Sequence, residues 1–227
     1  MTTVMSNNGG QISRCRRSWC GALLVVLVFG SAWASDSFET RVSSLSKSND
    51  SFAAAGKILS KPEINTPEEL KQAIGLLSKA LESEKNGPDR SVIYATSAGV
   101  YLMGLRDCNR AKQYSSAAVA SDPNSDYALN IDISTDMCIA GITENYDPIV
   151  GRLEKLVKED RHFKSLYSLL GLAYMYKSNR TNSSSDLIRA KEAFLKAKAK
   201  NEPEASPGAL DDTIRLLEGR LHGVKRN

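Results

Sequence analysis

The chain has 227 residues, 41% of them apolar and 25% charged, which is enough to bury a core as one domain of ordinary size and too apolar for a disordered chain. Its formal net charge of +4 includes three arginines within residues 1–34, a stretch that holds no acid, and without that stretch 27 basic residues face 26 acidic ones. A balance so close to neutrality leaves no electrostatic footprint for nucleic acid or for an anionic membrane surface.

Residues 1–34 read as a secretory signal peptide. Arg14, Arg16 and Arg17 form the positive n-region, Gly21 to Phe29 an unbroken small-and-apolar h-region, and Ala32-Trp33-Ala34 the small-x-small cleavage site before Ser35. The apolar run from Trp19 to Ala34 falls short of the roughly 20 residues a spanning helix needs. No stable membrane span is therefore expected after cleavage, and an uncleaved N-terminal anchor is the lesser reading. Cys20 precedes the h-region instead of following it, which sets lipidation aside, and Ser18-Trp19-Cys20 after Arg16-Arg17 fits twin-arginine export poorly. Export to a bacterial periplasm is the expectation, with secretion as the other destination.

From Asp36 to Ser60, Phe38, Val42, Leu45, Phe52, Ala55, Gly56 and Leu59 recur at roughly helical spacing, interrupted by the polar run Ser46 to Ser51. Thr66-Pro67-Glu68-Glu69 predicts a helix start, with a capping hydroxyl, a proline at the first helical position and a glutamate placed to bond back to the cap. That helix aligns Ala73, Ile74, Leu77, Ala80 and Leu81, and it is expected to stop at Asn86-Gly87-Pro88 through a left-handed residue and a breaker. Asp89 opens the next pair, with Ala98-Gly99 and Leu102 in its first helix and Ala111 and Ala118 in its second, before Pro123. A third pair runs from about Ser125 to Thr143 and from Asp147-Pro148 to Asp160. Ile149, Leu153, Leu156 and Val157 face inward there, and the first helix admits two registers, one through Ala140-Gly141 and one through Met137.

In the fourth pair Tyr167, Leu170, Gly171 and Tyr174 share one helical face at i, i+3, i+4 and i+7. A glycine in mid-stripe costs a helix roughly 1 kcal/mol relative to alanine, which implies that another backbone comes close at that point. Ala190, Phe194 and Ala197 follow the same logic in the second helix, small residues flanking an aromatic one. The Ser/Asn-rich stretch from Lys177 to Asp186 between them is expected to be an exposed, mobile loop. Ser206-Pro207 then starts a last helix, about 206–222, with Leu210, Ile214, Leu217 and Leu221 on one face.

Tyr167, Leu170-Gly171 and Tyr174, followed by Ala190, Phe194 and Ala197, resemble the two helices of a tetratricopeptide repeat. Ala80, Ala118, Leu156 and Ala197 recur at steps of 38, 38 and 41 residues, somewhat longer than the roughly 34 of that family. The second pair departs from the pattern, since Ala95 replaces the large aromatic and Tyr101 and Tyr114 sit one place off. The resemblance implies an all-α fold: a TPR-like α-solenoid over residues 35–227, with antiparallel pairs at about 36–85, 89–121, 125–160 and 163–200 and a C-terminal helix capping the last repeat. It also implies binding on the inner face of each first helix, which by register points to Ile93, Thr96, Val100 and Met103 and to Ser165, Ser168, Leu172 and Met175. Such a wall is apolar with hydroxyls and suits an extended or helical segment. The Lys, Asn and Arg with which some members clamp a C-terminal carboxylate are missing there. Packing of the same residues against neighbouring repeats or a second copy of the chain is equally open.

The resulting expectation is an exported scaffold or adaptor that holds a protein or peptide partner, and the alternative is a soluble carrier of a small molecule or lipid. No enzyme, cofactor or metal is expected. His162 and His222 lack ligand spacing, and no serine sits in a G-x-S-x-G turn. Glu68-Glu69, Glu159-Asp160 and Asp211-Asp212 fall at helix ends or faces, where the helix dipole and solubility account for them. Cleavage of the leader removes Cys15 and Cys20. Cys108 and Cys138 remain, at the start of one helix and in the second half of the next, so one disulfide or two small buried thiols are both open. Asn49, Asn179 and Asn182 head glycosylation sequons, which matter only on a eukaryotic secretory route.

Overall fold

The computed structural model describes residues 36–61, 65–161, 163–202 and 208–224, so the leader, His162 and the Ser206-Pro207 start signal lie outside the described residues. Those residues form ten α-helices and no strand: α1 (Asp36–Ser48), α2 (Asp50–Leu59), α3 (Pro67–Ser83), α4 (Gly87–Gly99), α5 (Cys108–Ser121), α6 (Asp126–Thr143), α7 (Asp147–Lys158), α8 (Leu166–Thr181), α9 (Ser184–Ala199) and α10 (Ala209–Val224). Helix α4 continues into a single π-helical turn, Val100–Gly104.

Local chemistry sets most boundaries. The Thr66 hydroxyl accepts from the Glu69 amide while the Glu69 carboxylate accepts from the Thr66 amide, a closed capping box at the start of α3. Asp107, Ser125 and Ser183 cap α5, α6 and α9 with the side-chain acceptor bond alone. The polar break expected near Ser46 to Ser51 narrows to Asn49, which accepts from the Phe52 amide to start α2. Its amide nitrogen donates to the Ala80 carbonyl at 3.3 Å and the Ser83 hydroxyl at 3.2 Å, tying the α1/α2 joint to the last turn of α3. Asn49 is buried with its side chain fully engaged, so its sequon is blocked in the fold, whereas Asn179 and Asn182 are exposed.

Two local expectations fail. Asn86-Gly87-Pro88 contains no left-handed residue; Gly87 and Pro88 open α4 instead, and a Cβ on Gly87 would come 2.8 Å from the Ser121 carbonyl oxygen, so close approach of the end of α5 requires the glycine. Lys177 to Asp186 is not a loop. Helix α8 runs on to Thr181, Asn182 turns the chain in the left-handed region, and α9 starts at Ser184. Serine and asparagine form helix poorly by themselves, but here Ser178 is buried and donates to the Ser183 carbonyl, Lys177 reaches Asp147 at 2.7 Å and Arg180 pairs with Glu144.

Helix packs on helix throughout, mostly between chain neighbours. The hairpins α2/α3, α4/α5 and α8/α9 share the most extensive contacts. Helix α5 leans on α6, α7 on α8 and α9 on α10, while α4 also meets α6 and α1 folds back onto α4. Ala80, Ala118, Leu156 and Ala197 are all buried in the last turn of α3, α5, α7 and α9, so the sequence period marks the ends of the second helices. Met137 and Ala140 of α6 are both buried and Gly141 is exposed, so burial fits either register of that helix. The apolar core divides along the chain. A large cluster from Leu129 to Leu217 joins α6 to α10, a second around Leu45, Phe52, Leu77 and Ile93 joins α1 to α4, and three small clusters lie between, of Ala95, Ala118 and Ala128, of Ala98 and Ile131, and of Tyr101, Leu102 and Ala111.

Candidate functional site

Of the eight side chains expected to line an inner groove, Ile93, Val100, Ser165, Ser168 and Leu172 are buried, and Thr96, Met103 and Met175 are half-buried. They do not form an open wall, and the physical reasons differ. Ile93 belongs to the core cluster against which Phe38 and Val42 of α1 pack. Val100 begins the π-turn, and Leu172 belongs to the large C-terminal cluster. Ser165 and Ser168 serve the start of α8: Asn130 donates to the Ser165 hydroxyl, and Glu202 accepts from the amides of Tyr167 and Ser168 and from the Ser168 hydroxyl at 2.8, 2.8 and 2.7 Å. A carboxylate from beyond α9 thus caps α8, where the helix dipole favours a negative charge. Burial pushes the Glu202 carboxyl above the ordinary range, and the three donors offset only part of that rise.

A second polar cluster braces α5, α6 and α7. Asp132 is almost fully buried and accepts from Lys112 at 2.9 Å, Ser115 at 2.7 Å, Ser116 at 3.3 Å and Arg152 at 2.7 Å, while Asp136 pairs with the same Lys112 and Arg152. Burial opposes the Asp132 charge, but the bonds from Ser115, Lys112 and Arg152 outweigh it and hold the carboxyl below the usual carboxylate range. Every partner is satisfied from within, so the cluster acts as a strut. Cys108 and Cys138 form a disulfide across α5 and α6 with 5.9 Å between their Cα atoms. Among the described residues, no group of three His, Cys, Asp or Glu side chains is placed to hold a metal ion, and no helix is long and apolar enough to cross a membrane.

The surface carries a recess of about 360 Å³ where α7 and α9 flank α8. Its floor is the stripe Tyr167, Leu170 and Tyr174, three residues that share a face at i, i+3 and i+7. One wall is Glu154, Val157 and Lys158 from α7, and the other is Arg189, Glu192, Ala193 and Lys196 from α9, each set at helical spacing. Cations sit over the aromatic floor. The Lys196 and Lys200 ammonium groups lie 5.9 and 5.7 Å from the Tyr167 ring centre, and the Arg189 guanidinium lies 5.6 Å from that of Tyr174. Burial, and after it the Glu154 carboxylate that accepts from the hydroxyl, raises the Tyr174 phenol above its ordinary value, so it stays a hydrogen-bond donor.

Glu154 is engaged by Tyr174 and by Arg189 at 3.9 Å. The walls are then left with Lys158, Lys196 and nearby Lys200 against Glu192, a positive excess over an aromatic floor. The Tyr167, Leu170 and Tyr174 stripe was legible in the sequence, and of the wall residues in α7 and α9 only Val157 was singled out there. What hid the site was the assumption that the opposite face of α8 would stay open. No protein-family model, no curated protein and no solved structure matches this chain.

Proposed function

We propose that the protein is an exported, TPR-like helical scaffold that holds a partner protein through the recess between α7 and α9. The carrying observation is the recess itself, a floor of Tyr167, Leu170 and Tyr174 under a rim with surplus lysine. Its volume lies within the range of about 300–1,000 Å³ typical of ligand sites. Rigid aromatics give contact area at low entropic cost, and surplus cations select charge. The occupant that fits is a peptide segment with one apolar or aromatic anchor and acidic neighbours. The signal-like leader supports a periplasmic setting, and hairpins that pack on their chain neighbours support the repeat reading. The carrier alternative has less support, because both walls of the recess carry charged side chains and an acyl chain needs an apolar enclosure.

A displayed random peptide library selected on the wild type and on Lys158→Glu/Lys196→Glu tests this reading. The wild type should enrich segments with acids beside an apolar residue, and the charge-reversed protein, with an unchanged melting curve, should lose them. Enrichment of the same sequences on both proteins, or of none on either, would remove the recess as the binding site.

A further inference from the structure

The recess between α7 and α9 differs at its two ends, and the helix directions decide which residue stands at which. Helix α7 runs antiparallel to α8, since Asp147 meets Lys177 and Glu154 meets Tyr174. Helix α9 is antiparallel to α8 as well, with Arg189 at Tyr174 and Lys196 at Tyr167. The floor from Tyr167 to Tyr174 spans about 10 Å along the helix axis. At the Tyr174 end the charges answer one another. Arg189 donates to the Tyr174 hydroxyl at 3.3 Å and lies 3.9 Å from Glu154, which accepts from the same hydroxyl. Asp186 adds a further negative charge that acts on Arg189.

At the Tyr167 end the balance is reversed. Lys196 and Lys200 hold their ammonium groups over the ring, and Lys158, one turn beyond Glu154 in α7, stands in the facing wall. Of the two carboxylates that line the recess, Glu154 is at the far end and Glu192 is midway along the α9 wall. The chain fixes this cationic end from behind. Asn201 turns in the left-handed region, the Glu202 amide donates to the Ala197 carbonyl at 3.0 Å, and the Glu202 carboxylate accepts from the Tyr167 and Ser168 amides. Lys200 is thus carried on a closed turn, and Glu202 is turned inward, only 8% exposed. We infer that the recess is one-ended: a carboxylate of the partner seats against Lys158, Lys196 and Lys200, its apolar anchor covers Leu170, and the Tyr174 end, where Glu154 and Asp186 repel it, takes no acid. This rests on the recess as the binding site and narrows the partner to a segment with acids on one side only of its anchor. Lys196 and Lys200 set that choice.

The test measures binding of four fluorescein-labelled, end-blocked heptapeptides with a central phenylalanine. They carry aspartates on its N-terminal side, on its C-terminal side or on both sides, or asparagines throughout. The better one-sided peptide should bind the wild type at least about tenfold more tightly than the asparagine peptide, and the two-sided peptide should bind no more tightly than the better one-sided one. Lys196→Glu/Lys200→Glu, with an unchanged melting curve, should no longer distinguish aspartate from asparagine. A two-sided peptide that binds about tenfold more tightly than either one-sided peptide would place acids at both ends, overturning the inference while leaving the recess as the site. A preference for aspartate that survives the charge reversal, or that is missing in the wild type, would overturn it too. If the wild type binds none of the four saturably, the recess reading falls and this inference falls with it.

Discussion

Gly171 and Gly75 are both helical glycines, and the space around them gives opposite expectations. A Cβ on Gly171 would sit 2.8 to 2.9 Å from three carbons of the Phe194 ring, so the glycine admits an aromatic side chain from α9 where the sequence had suggested a backbone. Gly75 is exposed in mid-α3 with nothing within 4 Å of an added Cβ. Gly171→Ala should destabilise by about 1–3 kcal/mol through overpacking, and Gly75→Ala should stabilise by about 0.5–1 kcal/mol through helix propensity. Urea denaturation of the two variants reads both signs. Two of the buried carboxylates, Asp132 and Glu202, also part company, this time with pH. Asp132 has a folded pKa below its unfolded 3.8, so its contribution is present above that pH and is lost as pH falls through the folded value. Glu202 has a folded pKa above its unfolded 4.5, so its contribution is full below that pH and is lost as pH rises through the folded value. The deficit of Asp132→Asn should therefore be widest near neutrality and shrink in acid, whereas that of Glu202→Gln should be widest in acid and shrink as pH rises. Stability curves at pH 3.5, about one unit higher and pH 7 would show profiles of opposite slope, and parallel profiles would contradict the environments described for the two groups.

At the scale of elements, the apolar periodicity and the caps were readable, because both are local. Thr66-Pro67-Glu69 specifies its capping box in four consecutive residues, and Leu210, Ile214 and Leu217 are buried as their spacing requires. What escaped was decided by distant partners. Polar Lys177 to Thr181 stays helical because Asp147 and Glu144 lie across from it, and Gly87 is fixed by a carbonyl 34 positions on. The inner-groove reading failed for a similar reason, since no local signal says that α1 returns over Ile93 or that Glu202 closes the start of α8. The pairing of Cys108 with Cys138 was open in the sequence, and the structure brings α5 and α6 together there. The bond closes a separation of 30 residues, and such a crosslink stabilises by about 2–4 kcal/mol, chiefly by restricting the unfolded chain. Cys108→Ala/Cys138→Ala should lower the urea midpoint accordingly and should leave the far-ultraviolet circular dichroism spectrum unchanged. An unaltered midpoint would mean that the strut around Asp132 alone holds the two helices.

Across the whole molecule, the division of the core has a mechanical consequence. The cluster that joins α6 to α10 and the cluster that joins α1 to α4 share no side chain, and between them lie only small clusters, one of Ala95, Ala118 and Ala128, one of Ala98 and Ile131 and one of Tyr101, Leu102 and Ala111, each burying less apolar area than the two large ones. Where helices lean mainly on chain neighbours, stability approximates a sum of local terms and the ends can open without the middle. Leu217 is fully buried where α10 covers α9, and an aspartate there would place an unpaired charge in that seam. Leu217→Asp should therefore speed hydrogen exchange in α8, α9 and α10 by orders of magnitude while α3, α4 and α5 keep their protection. The recess between α7 and α9 would be lost with the opened end, so peptide capture would fail although half of the helices remain folded. Uniform loss of protection from α2 to α10 would instead reveal one cooperative unit, in which the small intermediate clusters transmit as much as the two large ones.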